Sequence, residues 1–221
     1  MISLVINPIH TLDLLVKGLL VGIIASAPMG PVGVLVVRRT LTKGPAYGFV
    51  TGAGAALSDI IYALITGIGL SFVMSFLEKD SSIFVLKVLG SVVLFIFGLH
   101  AYRTKVQAHQ STMAKKGTLW HNALTGFLLT LSNPLIVFLF IALFARFDFI
   151  SDSHIYEQVM GYSMVFVGAL LWWICLTTAI RTVSKRFDVS YIELFNRILG
   201  LLVMGASLIG LMYTLTIKLC I

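Results

Sequence analysis

An all-α membrane protein of six transmembrane helices, arranged as two inverted three-helix repeats, is the fold this sequence predicts. Three observations carry that prediction. Of 221 residues, 58% are hydrophobic and 11% charged, and the mean hydropathy is +1.00; a soluble domain carries about 25% charged residues. Six apolar runs alternate with polar segments. Features of the first three runs then recur, in the same order, in the last three.

The first run, Gly18 to Val37, holds 20 residues without a charge, enough to cross a hydrocarbon core of about 30 Å as a helix. Ala25-Ser26-Ala27-Pro28-Met29-Gly30-Pro31 lies at its centre. Each proline removes a backbone donor and crowds the carbonyl four residues earlier, so the helix must bend or break. Broken backbone at membrane depth is tolerated where protein buries it or where it lines a wet cavity. Secondary transporters build solute sites from such freed helix ends. A kink that only shapes packing is the competing reading. The density of Pro-Met-Gly-Pro favours a site at Pro28, Gly30 and Pro31.

The second run, Gly44 to Leu77, contains one charge, Asp59. A charge at a helix centre costs about 2.5–3.5 kcal/mol on the insertion scale, so this carboxyl should face the protein interior. Gly52, Ala55 and Ala56 precede it by 7, 4 and 3 residues and share its face. With Gly48 they form a small-residue stripe that lets helices approach closely. A carboxyl here can carry a proton or bind an ammonium group. Alternatively it is a neutral group hydrogen-bonded to Ser58 or a backbone carbonyl. Tyr62, one turn later, either hydrogen-bonds near Asp59 or simply packs.

The third run, Val88 to Tyr102, needs its flanks to span, and Lys87 can snorkel to the interface. His100 at its end reads as an interfacial histidine. A polar linker, residues 103–116, then separates the first repeat (1–102) from the second (117–221). The fourth run, Gly117 to Ala145, is broken at Asn133-Pro134, preceded by Thr130 and Ser132. The asparagine amide offers donors and an acceptor. It can hold an amino or carboxylate group, or satisfy carbonyls freed by Pro134. The fifth and sixth runs are Gln158 to Ile180 and Ile198 to Ile217.

Lys87-Val88-Leu89-Gly90 recurs as Arg197-Ile198-Leu199-Gly200, Gly48-Phe49 as Gly161-Tyr162, and Gly54-Ala55 as Gly168-Ala169. Three spans per repeat is an odd number, so the halves must be inverted across the membrane. Setting Gly168 on Gly54 places Trp173 opposite Asp59. Trp172 and Trp173 can wall a pocket or face a cation; packing or an interfacial aromatic belt is the competing reading.

Charge along the chain predicts orientation. The first, third and fifth loops carry 11 of the 16 basic residues: Arg38, Arg39, Lys43; Arg103, Lys105, Lys115, Lys116; Arg181, Lys185, Arg186, Arg197. The second loop sets Lys79 beside Glu78 and Asp80, and the fourth sets Arg146 beside Asp148, Asp152 and Glu157. The positive-inside rule places loops 38–46, 103–119 and 181–197 in the cytoplasm and both termini outside. The net charge of +7 is thus topological, and a lipid bilayer, not nucleic acid, is the expected partner. Met1 to Asp13 lacks a signal-peptide pattern.

Cys175 and Cys220 imply no disulfide framework. His10, His109, His121 and His154 show no metal-ligand spacing, so neither metal nor cofactor is expected. A metal-cation exporter needs several ligands, and one membrane carboxylate argues against it. An intramembrane aspartyl protease needs two, and a thiol–disulfide carrier needs paired cysteines near the breaks, so the chain is not expected to be an enzyme. A membrane subunit without transport remains an alternative.

Pro28-Met29-Gly30-Pro31, the Arg38 to Gly44 turn, Gly48 to Asp59, Ser132-Asn133-Pro134 and Arg197-Ile198-Leu199-Gly200 together resemble the lysine exporter/homoserine-resistance (LysE/RhtB) family of translocators. The resemblance covers nearly the whole chain and is most specific in its first 60 residues. It implies a six-helix bacterial inner-membrane exporter of amino acids or related small metabolites, driven by proton antiport and often a homodimer. Carried over by position, it implicates Pro28, Pro31, Asp59, Asn133 and Pro134. Met29, inserted where the family often reads Pro-Gly-Pro, and the tandem Trp172-Trp173 depart from its pattern.

Overall fold

The computed structural model describes residues 8–28, 30–76, 80–104, 117–133, 135–149, 155–183 and 189–219. All regular structure among them is helical: α1 Pro8–Ser26, α2 Pro31–Lys43, α3 Pro45–Phe76, α4 Asp80–Arg103, α5 Leu119–Leu131, α6 Leu135–Phe147, α7 Ile155–Val183 and α8 Val189–Leu219. The linker residues 105–116, Met29, Pro134, His109, His154 and Cys220 lie outside the described residues.

Helices α3, α4, α7 and α8 are each long and apolar enough to cross a membrane, through Pro45–Leu70, Phe84–Arg103, Tyr156–Thr182 and Tyr191–Thr216. The third span is no longer short, because its flanks extend the helix back to Asp80. The first and fourth runs are not single helices. Helix α1 meets α2 at 80° and α5 meets α6 at 73°, which brings the number of spans to six if each bent pair counts as one.

Backbone chemistry explains both breaks. Ala27 still donates to Ile23 (2.9 Å), closing the last turn of α1. Pro28 and Pro31 have no N–H to continue the ladder, Gly30 turns back to the Pro28 carbonyl (2.9 Å), and Pro31 opens α2. In the second half Ser132 and Asn133 close α5 onto Leu128 (2.9 Å) and Thr130 (3.0 Å). The Asn133 carboxamide oxygen then accepts from the Leu135 N–H (3.2 Å), capping α6.

Glycines set the helix packing, as expected where close approach replaces the hydrophobic effect. Helices α1 and α7 touch backbone to backbone. A Cβ on Gly22 would fall on the Val165 carbonyl, and one on Gly168 on the Leu19 carbonyl. Helices α3 and α5 do the same through Gly54 against Ala123 and Gly126 against Thr51. Helices α4 and α8 meet at Gly98 and Gly200. An aromatic and aliphatic cluster fills the interior around α6, with Phe140, Phe144 and Leu139 fully buried and Phe144 stacked on Phe149 at 4.6 Å. Large apolar residues of α8, including Leu202, Ile209 and Met212, face outward, as a lipid-contacting surface requires.

Two charged residues assigned to loops from the sequence are inside the protein. Arg39 belongs to α2 and is 8% exposed. Its guanidinium donates to the Thr51 hydroxyl (2.8 Å) and the Asn122 carbonyl (2.9 Å), tying α2 to α3 and α5. The loop expected over 38–46 reduces to a turn at Gly44, whose φ of +108° suits glycine. Glu157 is also buried, in the first turn of α7, where it accepts from the Thr11 hydroxyl of α1 (3.1 Å). Both were misplaced because a charge next to an apolar run looks solvated until its partners on other helices are known. Arg39→Ala removes both bonds of a buried charged donor and is expected to cost about 1.5–3 kcal/mol per bond lost. A fluorescence thermal melt in detergent checks this, with Arg38→Ala as the comparison.

Candidate functional site

The two helix breaks and Asp59 face one cavity of about 130 Å³. Of the residues singled out from sequence, Pro28, Gly30, Pro31, Asp59, Asn133 and Trp173 all line it. They come from the α1–α2 break, α3, the α5–α6 break and α7, so both halves of the chain contribute. Pro134 lies outside the described residues. Tyr62 is not in the lining; its hydroxyl donates to the Leu131 carbonyl and its ring joins the interior cluster. Tyr62 therefore ties α3 to the end of α5 and is packing, not a neighbour bonded to Asp59.

Asp59 is 5% exposed and sits on the interior stripe that the sequence placed it on, with Gly48, Gly52, Ala55 and Ala56 buried beside it. Its hydrogen-bond partner differs from expectation. Ser26, the last residue of α1, donates to the carboxylate at 3.0 Å. Ser58 instead donates to the Phe127 carbonyl of α5 at 2.7 Å. The reason is geometric: Ser58 is adjacent to Asp59 in sequence and so projects from a different side of the helix. Among the described residues no Lys or Arg side chain lines the cavity.

Helix α2 presents its N-terminus here. Gly30 is the N-cap, in an extended conformation, and no side chain caps the helix. The first backbone N–H groups and the positive end of the helix dipole therefore face this space. Val32 and Gly33 are in the lining, and a side chain built at Gly30 would meet nothing within 4 Å.

Trp173 is 3% exposed and its indole lies over Gly52. A Cβ at Gly52 would come within 2.5 Å of Trp173 Cδ2, so the glycine makes room for the ring. Gly52→Ala is expected to drive the indole from its seat. In a background of Trp120→Phe and Trp172→Phe, this appears as a red shift of tryptophan emission and fails if the spectrum is unchanged. Trp172 points elsewhere, its ring packed at a 33° tilt against Phe195, 5.5 Å between centroids, between α7 and α8.

Ser26, Thr130, His100 and Asn196 also belong to the lining and were not singled out as site residues. Ser26 and Thr130 were legible in part, since each lies next to a break. His100 read as interfacial, and Asn196 carries no signal that separates it from a polar helix end. Among the described residues no three His, Cys, Asp or Glu side chains gather as a metal site would require.

The family model for LysE type translocators matches residues 23–213. A protein of Bacillus subtilis (strain 168) named "Putative amino acid efflux protein YcgF" is 24% identical over 175 residues, covering 77% of this chain and 82% of the relative. "Uncharacterized membrane protein YahN" of Escherichia coli (strain K12) is 25% identical over 183 residues, covering 81% and 80%. No solved structure matches the chain.

Proposed function

The chain belongs to the LysE type translocator family, and from that premise we propose that it exports an amino acid or related small metabolite across the bacterial inner membrane by proton antiport. The observation that carries this reading is the single cavity shared by two helix breaks and one buried carboxylate, Asp59. A relative named for amino acid efflux supports the substrate class.

In the proposed cycle, ionised Asp59 receives the solute from the cytoplasm. When the site faces outward, a proton binds the carboxylate and displaces the solute. The neutral carboxyl then returns inward and releases its proton. One proton enters for each solute that leaves. For a solute of no net charge, one positive charge moves inward per cycle.

The same reading includes six spans in two inverted repeats. Helices α2 and α6 have 13 residues each, and the α1–α7 contact through Gly22 and Gly168 has its counterpart in α5–α3 through Gly126 and Gly54. Both termini lie outside in this arrangement. His100, Thr104 and Asn196 line the cavity next to the basic segments 103–119 and 181–197, which supports a cytoplasm-facing state. A homodimer is part of the proposal as a family property.

The test is efflux from membrane vesicles loaded with a labelled amino acid panel under an imposed pH gradient. Gradient-dependent loss of one or more amino acids supports the exporter. If none leaves while the protein is in the membrane, the substrate class is wrong.

A further inference from the structure

The cavity contains more hydrogen-bond donors than the protein satisfies. Thr130 is 4% exposed and its hydroxyl has no partner. Trp173 is 3% exposed and its indole N–H has no partner. Both line the cavity, as does the uncapped N-terminal turn of α2. A buried donor left unmade costs the full desolvation of that group. An indole N–H can only donate, so what it lacks is an acceptor. At the other break the N-terminus of α6 is capped by Asn133, so the uncapped helix start is that of α2.

Opposite in charge to these donors is Asp59, held by Ser26. Among the described residues it is the only acidic side chain in the lining. The cavity thus combines one site for a cation with one set of donors for an anion.

We propose that the cavity is a two-ended cradle for a small zwitterion: the α2 N-terminus, the Trp173 indole N–H and the Thr130 hydroxyl take the solute's carboxylate, and Asp59 with Ser26 takes its ammonium group. This rests on the exporter reading and narrows it. With Asp59 engaged by the ammonium group, a second cationic group finds no carboxylate partner among the described lining residues. Lysine and arginine are therefore poor solutes. Size points the same way: an engineered cavity of about 150 Å³ accommodates the six carbons of benzene, so about 130 Å³ suits an amino acid of roughly six heavy atoms, nearer alanine and serine than lysine.

The experiment uses the full chain in proteoliposomes and measures counterflow of labelled alanine, serine and lysine. Ethylamine, which lacks the carboxylate, and propionate, which lacks the ammonium group, serve as competitors. Alanine and serine are expected to exchange, with lysine slower and both competitors weaker, each by about tenfold or more, the loss of one charge-assisted interaction. Thr130→Val removes a hydroxyl with no partner and so leaves the fold intact. Thr130→Val and Trp173→Phe are each expected to weaken alanine binding about tenfold while leaving inhibition by ethylamine unchanged. A purely structural role would not separate the two ligands. If lysine exchanges as fast as alanine, or ethylamine competes as well as serine, the cradle is overturned and the exporter reading stands. If no amino acid exchanges through folded, inserted protein, both readings fall.

Discussion

Asp59→Asn is expected to reduce pH-gradient-driven efflux to the level of vesicles without the protein. The substitution is nearly isosteric, and the asparagine oxygen can still accept from Ser26, which donates to Asp59 at 3.0 Å. Helix packing around residue 59 should therefore survive. What disappears is the group that, in the proposed cycle, exchanges a proton for the solute. An asparagine at this depth has no ionised state to hold an ammonium group and none to neutralise with a proton. If Asp59 were only a neutral hydrogen-bonding residue in a helix interface, Asn would substitute for it. The measurement is initial efflux rate with the outside acidic, at matched protein density, beside Asp59→Glu. Partial recovery with glutamate and none with asparagine marks a proton-exchanging carboxyl. Unchanged gradient dependence in Asp59→Asn makes Asp59 structural and moves coupling elsewhere.

Gly22→Leu is expected to prevent a stable fold. Gly22 is where α1 meets α7, and even a methyl group would overlap the Val165 carbonyl. The obstacle is backbone, so no side chain can rotate away to relieve it. Overpacking in a tight core typically costs about 1–3 kcal/mol. Here the two helices must separate along a contact built by Gly18, Gly22, Gly161 and Gly168 together, which puts the effect at the upper end or beyond. The α1–α7 contact also seats the end of α1, where Ser26 reaches Asp59, so the site is lost with the fold. Gly69→Leu is the comparison, since nothing lies within 4 Å of a Cβ there. Size-exclusion profiles and thermal melts in detergent should show aggregation or a much lower midpoint for Gly22→Leu and near-native behaviour for Gly69→Leu. Equal melts for both would mean that α1 and α7 do not need this approach.

Much of the protein was legible because the membrane limits what a sequence can do. A solvent without hydrogen-bond partners admits helices, so uncharged runs of about 20 residues become helices by necessity. Two prolines flanking Met29-Gly30 interrupt one of them whatever surrounds it, since the missing N–H groups are covalent facts. A single carboxyl in an apolar run must turn inward, and the spacing of Gly52, Ala55 and Ala56 indicated which side of the helix that is. Those local constraints singled out Asp59, Pro28, Gly30, Pro31 and Asn133, which the structure brings to one cavity.

Only the tertiary structure decided which groups complete it. Ser26 rather than Ser58 bonds Asp59 because partner choice depends on where α1 ends against α3, and no local rule specifies that distance. Arg39 left its loop for the interior because Thr51 and the Asn122 carbonyl, from two other helices, replace the water it would lose. Tyr62 left the site for the same reason, bonding Leu131 across the α3–α5 contact. The two Trp residues separated because neighbours in a helix point about 100° apart, so one meets the cavity and the other Phe195. Local covalent and solvation constraints determine which segments cross and where they break; which buried polar groups meet is a property of packing, settled between residues far apart in the chain.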